Sequence, residues 1–204
     1  MSDAATRRPG RPRSAAADAS IVQATLAVLL EEGYRGLTME QVRARAGVGK
    51  ATLYRRYGSK QDLVAEAIRH LNQPIDRPDT GSVRADILAV VRSVLAGAER
   101  VGFASFVPRL LAESAGDREM HAIFYANLVA PRRAVMGEVL RRGVARGELR
   151  ADLDVELAID LLTGPWVYRL LIAGGDASAV YALDPSGLLD LILAGIAARP
   201  DGDS

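Results

Sequence analysis

"RAGVGKATLYRRYGSK", Arg45 to Lys60, sets a Gly-Lys pair on a run of small residues, the way many proteins begin to grip a phosphate. The phosphate could belong to a free nucleotide or to a polynucleotide backbone, and spacing separates the two. A P-loop is G-x-x-x-x-G-K-[ST], with two glycines to open the loop and a hydroxyl to hold magnesium. Here Ala44 stands where the first glycine belongs, and Ala51 replaces the hydroxyl. A dinucleotide fingerprint fails as well, because Thr52 occupies the third glycine's position after Gly47 and Gly49, and no strand-like segment precedes them.

The flanks supply the alternative. Thr38-Met-Glu-Gln41 is a capping box, in which hydroxyl and amide satisfy each other's orphan backbone groups at a helix start. Gly47 offers the left-handed conformation of a tight turn, and a further helix runs from about Gly49 to Tyr57 with Leu53 inward. Two short helices around a glycine turn, residues 38–57, match a helix-turn-helix whose second helix carries Lys50, Thr52, Tyr54, Arg55 and Arg56. Phosphates position such a helix and base edges specify it, so hydroxyl, aromatic and basic side chains suit the task. Upstream, Ile21, Ala24, Thr25, Val28 and Leu29 share one face of a helix that Gly33 should end. Downstream, Ser59 and Asp62 form another cap, and Leu63, Val64, Ala67, Ile68 and Leu71 make a stripe that runs to Pro74.

The chain's bulk properties agree with an all-α protein of about nine helices. Of its 204 residues 49% are hydrophobic but only 5% aromatic, with few β-branched runs. There are no cysteines, which removes disulfide and thiolate chemistry and suits a reducing cytoplasm. Charge is uneven: residues 1–78 carry 13 basic against 8 acidic side chains, residues 79–204 carry 13 against 17. A basic front suits a polyanion, and ordinary solvated surface is the plainer reading. The apolar run Ile21–Leu30 is interrupted by Gln23 and Thr25 and lacks a cleavage site, so it reads as an amphipathic helix and not a secretory signal. No stretch approaches about 20 apolar residues, so no membrane span is expected.

"TMEQVRARAGVGKATLYRRYGSKQDLVAEAI", Thr38 to Ile68, resembles the DNA-binding domain of the TetR family of one-component bacterial regulators, and the likeness extends over roughly residues 15–75. Gly49, where the family often has serine, and Ala51, often glycine, depart from the pattern. The resemblance implies that Lys50, Ala51 and Thr52 meet bases or the groove floor. It puts Thr38, Tyr54, Tyr57 and Lys60 on phosphates, with Gly49 and Arg55 beside them. Tyr57 also reads as a core aromatic, Arg55 and Arg56 as solvated charge, and Thr38 as a cap before anything else. Ahead of this domain, residues 1–14 form a basic arm in which Gly10-Arg11-Pro12 resembles an AT-hook; a merely electrostatic arm is the other reading.

Residues 79–200 read as further helices. Ile87, Leu88, Val91, Val94, Leu95 and Ala98 form one stripe; Phe103–Ala115 is a segment interrupted by Pro108; Asp117 starts a long helix, kinked at Pro131, that ends near Gly147. Asp154 opens the next helix, and Asp184-Pro185 launches the last. "RRGVARGELRADLDVELAIDLLTGPWVYRLL", Arg141 to Leu171, resembles a TetR-type ligand-binding and dimerisation domain. By that resemblance, residues 155–173 and 186–197 would pack against their copies in a homodimer. Leu188, Leu189, Ile192, Leu193 and Ile196 suit such packing, or burial within the subunit. Two recognition helices about 34 Å apart would read a palindromic double-stranded operator. A pocket for a small, largely apolar effector is expected where Phe103, Phe106, Leu110, His121, Phe124, Tyr125, Leu128, Trp166 and Tyr168 cluster in the pattern, each of which also reads as core.

The function expected from these features is a homodimeric transcriptional regulator, a repressor released by its effector, with no cofactor and no metal. His70 and His121 lack ligand spacing. No G-x-S-x-G, H-E-x-x-H or paired base and nucleophile points to an enzyme. An architectural DNA protein using the basic arm is the remaining alternative.

Overall fold

The computed structural model describes residues 15–72, 75–100, 107–173, 180 and 183–196. The arginine-rich arm, Phe103 and Phe106 lie outside them. Among the described residues the elements are all helical: α1 (Ala15–Gly36), α2 (Met39–Ala46), α3 (Lys50–Arg56), α4 (Lys60–Leu71), α5 (Val83–Arg100), α6 (Val107–Gly116), α7 (Arg118–Phe124), a π-turn (Tyr125–Val129), α8 (Ala130–Ala145), α9 (Val155–Leu171) and α10 (Ser186–Ile196). Because α7, the π-turn and α8 run on without a break, they count as one rod, which brings the described helices to nine. The chain forms two compact units, Met1–Val64 and Ala65–Ser204, that part inside α4.

In the amino-terminal unit the local chemistry acts as its residue types dictate. Thr38 takes extended backbone; its hydroxyl accepts the Gln41 N–H at 3.3 Å while Gln41 Oε1 accepts the Thr38 N–H at 2.8 Å. Gly47, at φ 65°, closes α2 and turns the chain toward α3. Ile21, Ala24, Thr25, Val28 and Leu29 are all buried, and the Thr25 hydroxyl donates to the Ile21 carbonyl at 2.7 Å, so the stripe's one side-chain polar group is not stranded. At Gly33, φ 72° and ψ 175°, the backbone leaves the helical conformation, so the first helical run of α1 ends there as expected and a short second run continues to Gly36. Leu63 and Val64 of the α4 stripe are buried, as are Ala67, Ile68 and Leu71 beyond the point where the units part.

In the carboxy-terminal unit one core joins α5, α8, α9 and α10 through residues such as Ile87, Val139, Leu140, Ile159, Leu162 and Leu189. Three prolines behave differently. Pro108 sits in the first turn of α6, where its missing N–H costs nothing, so it starts that helix instead of interrupting it. Pro165 lies inside α9 without breaking it. Pro131 has no N–H to return to the carbonyl four residues back, Asn127; there the rod widens into the π-turn, and Asn72 Nδ2 donates to that carbonyl at 3.2 Å.

The α5–α8 seam depends on Gly143. A Cβ there would stand 2.5 Å from Val83 Cγ2 and 3.0 Å from Leu149 Cδ1. Gly143→Ala is therefore expected to destabilise the protein by about 1–3 kcal/mol despite alanine's better helix propensity, read as a lower urea midpoint.

The stripe of the last helix goes inward. Leu189 and Ile196 are buried in the subunit's own core, and Ile192 and Leu193 pack against it. Arg84 on α5 also pairs with Asp190 on the exposed side of α10 at 2.7 Å. Its solvent face is Gly187, Leu191, Ala194 and Gly195 instead.

Candidate nucleic-acid interface and cavity

Helix α3 is divided cleanly by its period. Leu53 is fully buried and Tyr57, its C-cap, is 8% exposed, so both hold the helix down. Gly49, Lys50, Ala51, Tyr54 and Arg55 form the exposed side, and Thr52 lies half-buried at its edge. Lys50 Nζ rests 5.8 Å from the Tyr54 ring centroid, the i, i+4 contact that a helix surface provides. Gly49 caps the helix with extended backbone and makes no side-chain hydrogen bond to the first turn's amides.

Other residues expected on phosphates are placed differently. Tyr57 belongs to the core. Thr38 is exposed, with its hydroxyl engaged by Gln41. Lys60 is drawn inward: Nζ donates to the Tyr34 carbonyl at 2.9 Å and stands 4.2 Å from the Tyr34 ring centroid, which satisfies an orphan carbonyl near the end of α1. Lys60→Met is accordingly expected to lower stability by about 1 kcal/mol in a urea titration. Arg56 folds back onto Asp18 of α1, whereas Arg55 stays on the exposed side. Arg43 pairs with Glu40 and Arg45 with Glu31; in each pair the hydrogen bond between the partners lowers the carboxyl's pKa.

In the carboxy-terminal unit a cavity of about 250 Å³ opens among α5, α6, α8 and α9. Phe124 and Leu128 line it, one helical turn apart, and Trp166 closes it from α9. Leu110 is buried in the core but its neighbour Leu111 is the one that reaches the cavity. His121 and Tyr125, also one turn apart, stack on each other at 6.2 Å on the outer face of the same rod. Tyr168 is 59% exposed on the outer side of α9. The expected lining residues His121 and Tyr125 thus belong to the solvent face of the rod, because Phe124 and Leu128 turn its other side inward, and Tyr168 belongs to the solvent face of α9.

The remaining lining was not expected residue by residue. Val90, Val91, Val94 and Leu95 come from α5, and Ile159, Leu162, Thr163, Val167 and Leu170 from α9. Arg132 and Arg133 are the charged lining residues among those described. Arg133 clamps α8 to α9 through Asp160 at 2.5 Å and Glu156 at 2.6 Å, hydrogen bonds that raise its pKa. A PRR triplet on a rod gives no sequence sign that its arginines turn toward an apolar space.

No helix among the described residues is long and apolar enough to cross a membrane. Residues 21–67 match the family described as "Bacterial regulatory proteins, tetR family", and residues 77–195 match "Tetracyclin repressor-like, C-terminal domain". The HTH-type transcriptional regulator YdeS of Bacillus subtilis is 33% identical over 179 residues, which cover 86% of this chain and 88% of that protein. The solved TetR family transcription regulator SCO0332 is 31% identical, with a TM-score of 0.57 over 88% of this chain and 98% of that one. FadR from Bacillus subtilis, solved with stearoyl-CoA, shares the fold at 19% identity and a TM-score of 0.63, covering 87% and 98%. With family matches over residues 21–67 and 77–195, the chain belongs to the TetR family of transcriptional regulators.

Proposed function

We propose that this regulator is a homodimeric repressor that reads a palindromic operator with its two copies of α3 and lets go when a small, largely apolar molecule enters the cavity. The observation that carries the reading is the exposed side of α3, where Gly49, Lys50, Ala51, Tyr54 and Arg55 stand together opposite buried Leu53 and Tyr57. A relative from Mycobacteroides abscessus, 28% identical, is named a DNA-binding transcriptional repressor, and FadR is solved with stearoyl-CoA, a molecule with a long apolar acyl chain.

Support for the dimer comes from apolar surface left uncovered on α9 and α10. Leu157, Leu161, Tyr168 and Ile172 repeat at helical spacing on one side of α9, with Gly164 open between them. On α10, Leu191 is 77% exposed, flanked by Gly187, Ala194 and Gly195, which let a second helix come close. A contiguous stripe of this kind is a surface built to be covered.

Selection of bound fragments from genomic DNA, followed by footprinting, tests the DNA half. A short symmetric footprint is expected; diffuse protection would favour the architectural alternative. Gel-shift titration of that operator with a panel of small hydrophobic compounds tests the release. If none of them alters retention, the switch is wrong even where the regulator is right.

A further inference from the structure

We infer that Glu40 sets the protein's discrimination between its operator and unrelated DNA: it holds Arg43 on the turn between α2 and α3, where the guanidinium steadies α3 and is kept from phosphates. The inference rests on the reading of α3 as the helix that meets DNA. Between Thr38 and Gly58 the sequence places five basic side chains, Arg43, Arg45, Lys50, Arg55 and Arg56, against one carboxylate, Glu40. Arg45 and Arg56 pair with Glu31 and Asp18 of α1, whereas Lys50 and Arg55 stand on the exposed side of α3. Arg43 pairs instead with an anion of the helix-turn-helix itself.

The geometry is that of a strap. Arg43 Nε and Nη2 donate to Glu40 Oε1 at 2.8 and 2.5 Å, one turn back on α2, while Nη1 donates to the Val48 carbonyl at 3.3 Å. The Val48 N–H donates to the Arg43 carbonyl at 3.3 Å, so one arginine engages both backbone polar groups of the residue that leads into Gly49, the N-cap of α3. An exposed i, i+3 ion pair adds little to folding; what this one governs is where the arginine points. The hydrogen bond from Arg43 is the main cause that lowers the Glu40 pKa, and the charge of Lys50 lowers it further, so the carboxylate stands beside both cations.

This arrangement acts differently on different DNAs. Every duplex offers phosphates, and one more arginine on a phosphate adds affinity that carries no sequence information. Glu40 withholds that contact, because it is always within reach at i, i+3 and a phosphate would have to displace a charge-assisted bond to two N–H groups. On the operator the strap has a second effect: a firmly held turn keeps α3 aimed at base edges. Removing the carboxylate's charge therefore gains phosphate affinity everywhere, and the loss of aim is felt only where bases are read.

The test compares two duplexes of equal length, the selected operator and a scrambled version, by fluorescence anisotropy with the full-length protein at several salt concentrations. Glu40→Gln should bind the scrambled duplex about three- to tenfold tighter at low salt, with a slope of log affinity against log salt steeper by about one for each subunit, and the operator less than about twofold tighter. Adding Arg43→Gln to Glu40→Gln should return the slope on scrambled DNA to the parent value. Both duplexes are measured on one preparation, so a misfolded fraction cancels from their ratio. Unchanged affinity and slope of Glu40→Gln on scrambled DNA overturns the inference, as does a steeper slope that survives in the double variant, since Arg43 is then not the group released. Weaker operator binding traced to a single base pair makes Glu40 a reader of a base edge, and the inference falls again. Lys50→Glu, run alongside, separates the two readings. If it leaves both duplexes bound as before, α3 is the wrong element and this inference falls with it; if it weakens binding while Glu40→Gln changes nothing, only the strap falls.

Discussion

Lys50→Glu is expected to weaken operator binding by about 10²- to 10³-fold at fixed salt while leaving the protein folded. Lys50 opens α3 on its exposed side, so no packing is lost with it. The proposed homodimer presents the substitution twice, and one good contact to a base is a factor of roughly five to a hundred, which taken twice spans about 25- to 10⁴-fold and places the expected loss in the middle. Charge reversal also repels phosphates, so the slope of log affinity against log salt should become shallower. The pattern of loss identifies the contact. Relaxed preference at one base pair of each half-site means that Lys50 reads an edge; uniform loss across sequences means that it meets phosphate. Arg150→Ala, which removes an exposed pairing with Asp152 in the other unit, is the control expected to leave DNA affinity unchanged. Unaltered retention of Lys50→Glu on the selected operator would remove α3 as the reading element.

What was legible in the sequence was mostly chemistry that acts within four residues. Thr38 with Gln41, Ser59 with Asp62, Asp117 and Asp154 all cap where their spacing says, because a side-chain oxygen reaches only the amides of its own first turn. The buried stripes of α1 and α4 followed from period alone. What local pattern did not reach is tertiary. Lys60 reaches a carbonyl 26 residues away, which no local pattern encodes. On the α7–α8 rod, His121–Tyr125 and Phe124–Leu128 are both spaced one turn apart with apolar or aromatic members; only the packing of α5 and α9 against one side decides which pair lines the cavity. The α10 stripe was apolar enough for either a partner or the subunit's own core, and only its packing with α5, α8 and α9 decides for the latter. Pro131 correctly marked an irregularity, yet the identity of the donor that serves Asn127's carbonyl depends on α4.

Asp86→Ala is expected to cost about 3 kcal/mol of stability, the larger of the two effects on folding proposed for the α5–α8 seam. The Asp86 carboxylate is fully buried at the start of α5. Its Oδ1 accepts the Thr80 N–H at 2.8 Å and the Thr80 hydroxyl at 2.7 Å, and Oδ2 lies 3.5 Å from Arg146 Nη2. Alanine strands both Thr80 donors and removes one of Arg146's anions. The cost stays at the low end for a broken buried pair because Arg146 keeps Glu148 at 2.5 Å and Asp79 at 3.3 Å. Asp86→Asn preserves an acceptor for Thr80 and should cost less, about 1–2 kcal/mol. Burial raises the Asp86 pKa, but the Thr80 bonds and the charges of Arg146 and Arg142 outweigh it, leaving the group below the ordinary carboxylate value. A depressed pKa in the folded state means that the ionised carboxylate stabilises fully above its unfolded value of about 3.9, and that this stabilisation fades as pH falls through the folded value. The gap in unfolding free energy between the parent and Asp86→Asn should therefore stay constant from about pH 8 to 5 and close only below about pH 4. A gap that closed instead near neutrality would mean that the seam is held by another titrating group and not by this carboxylate.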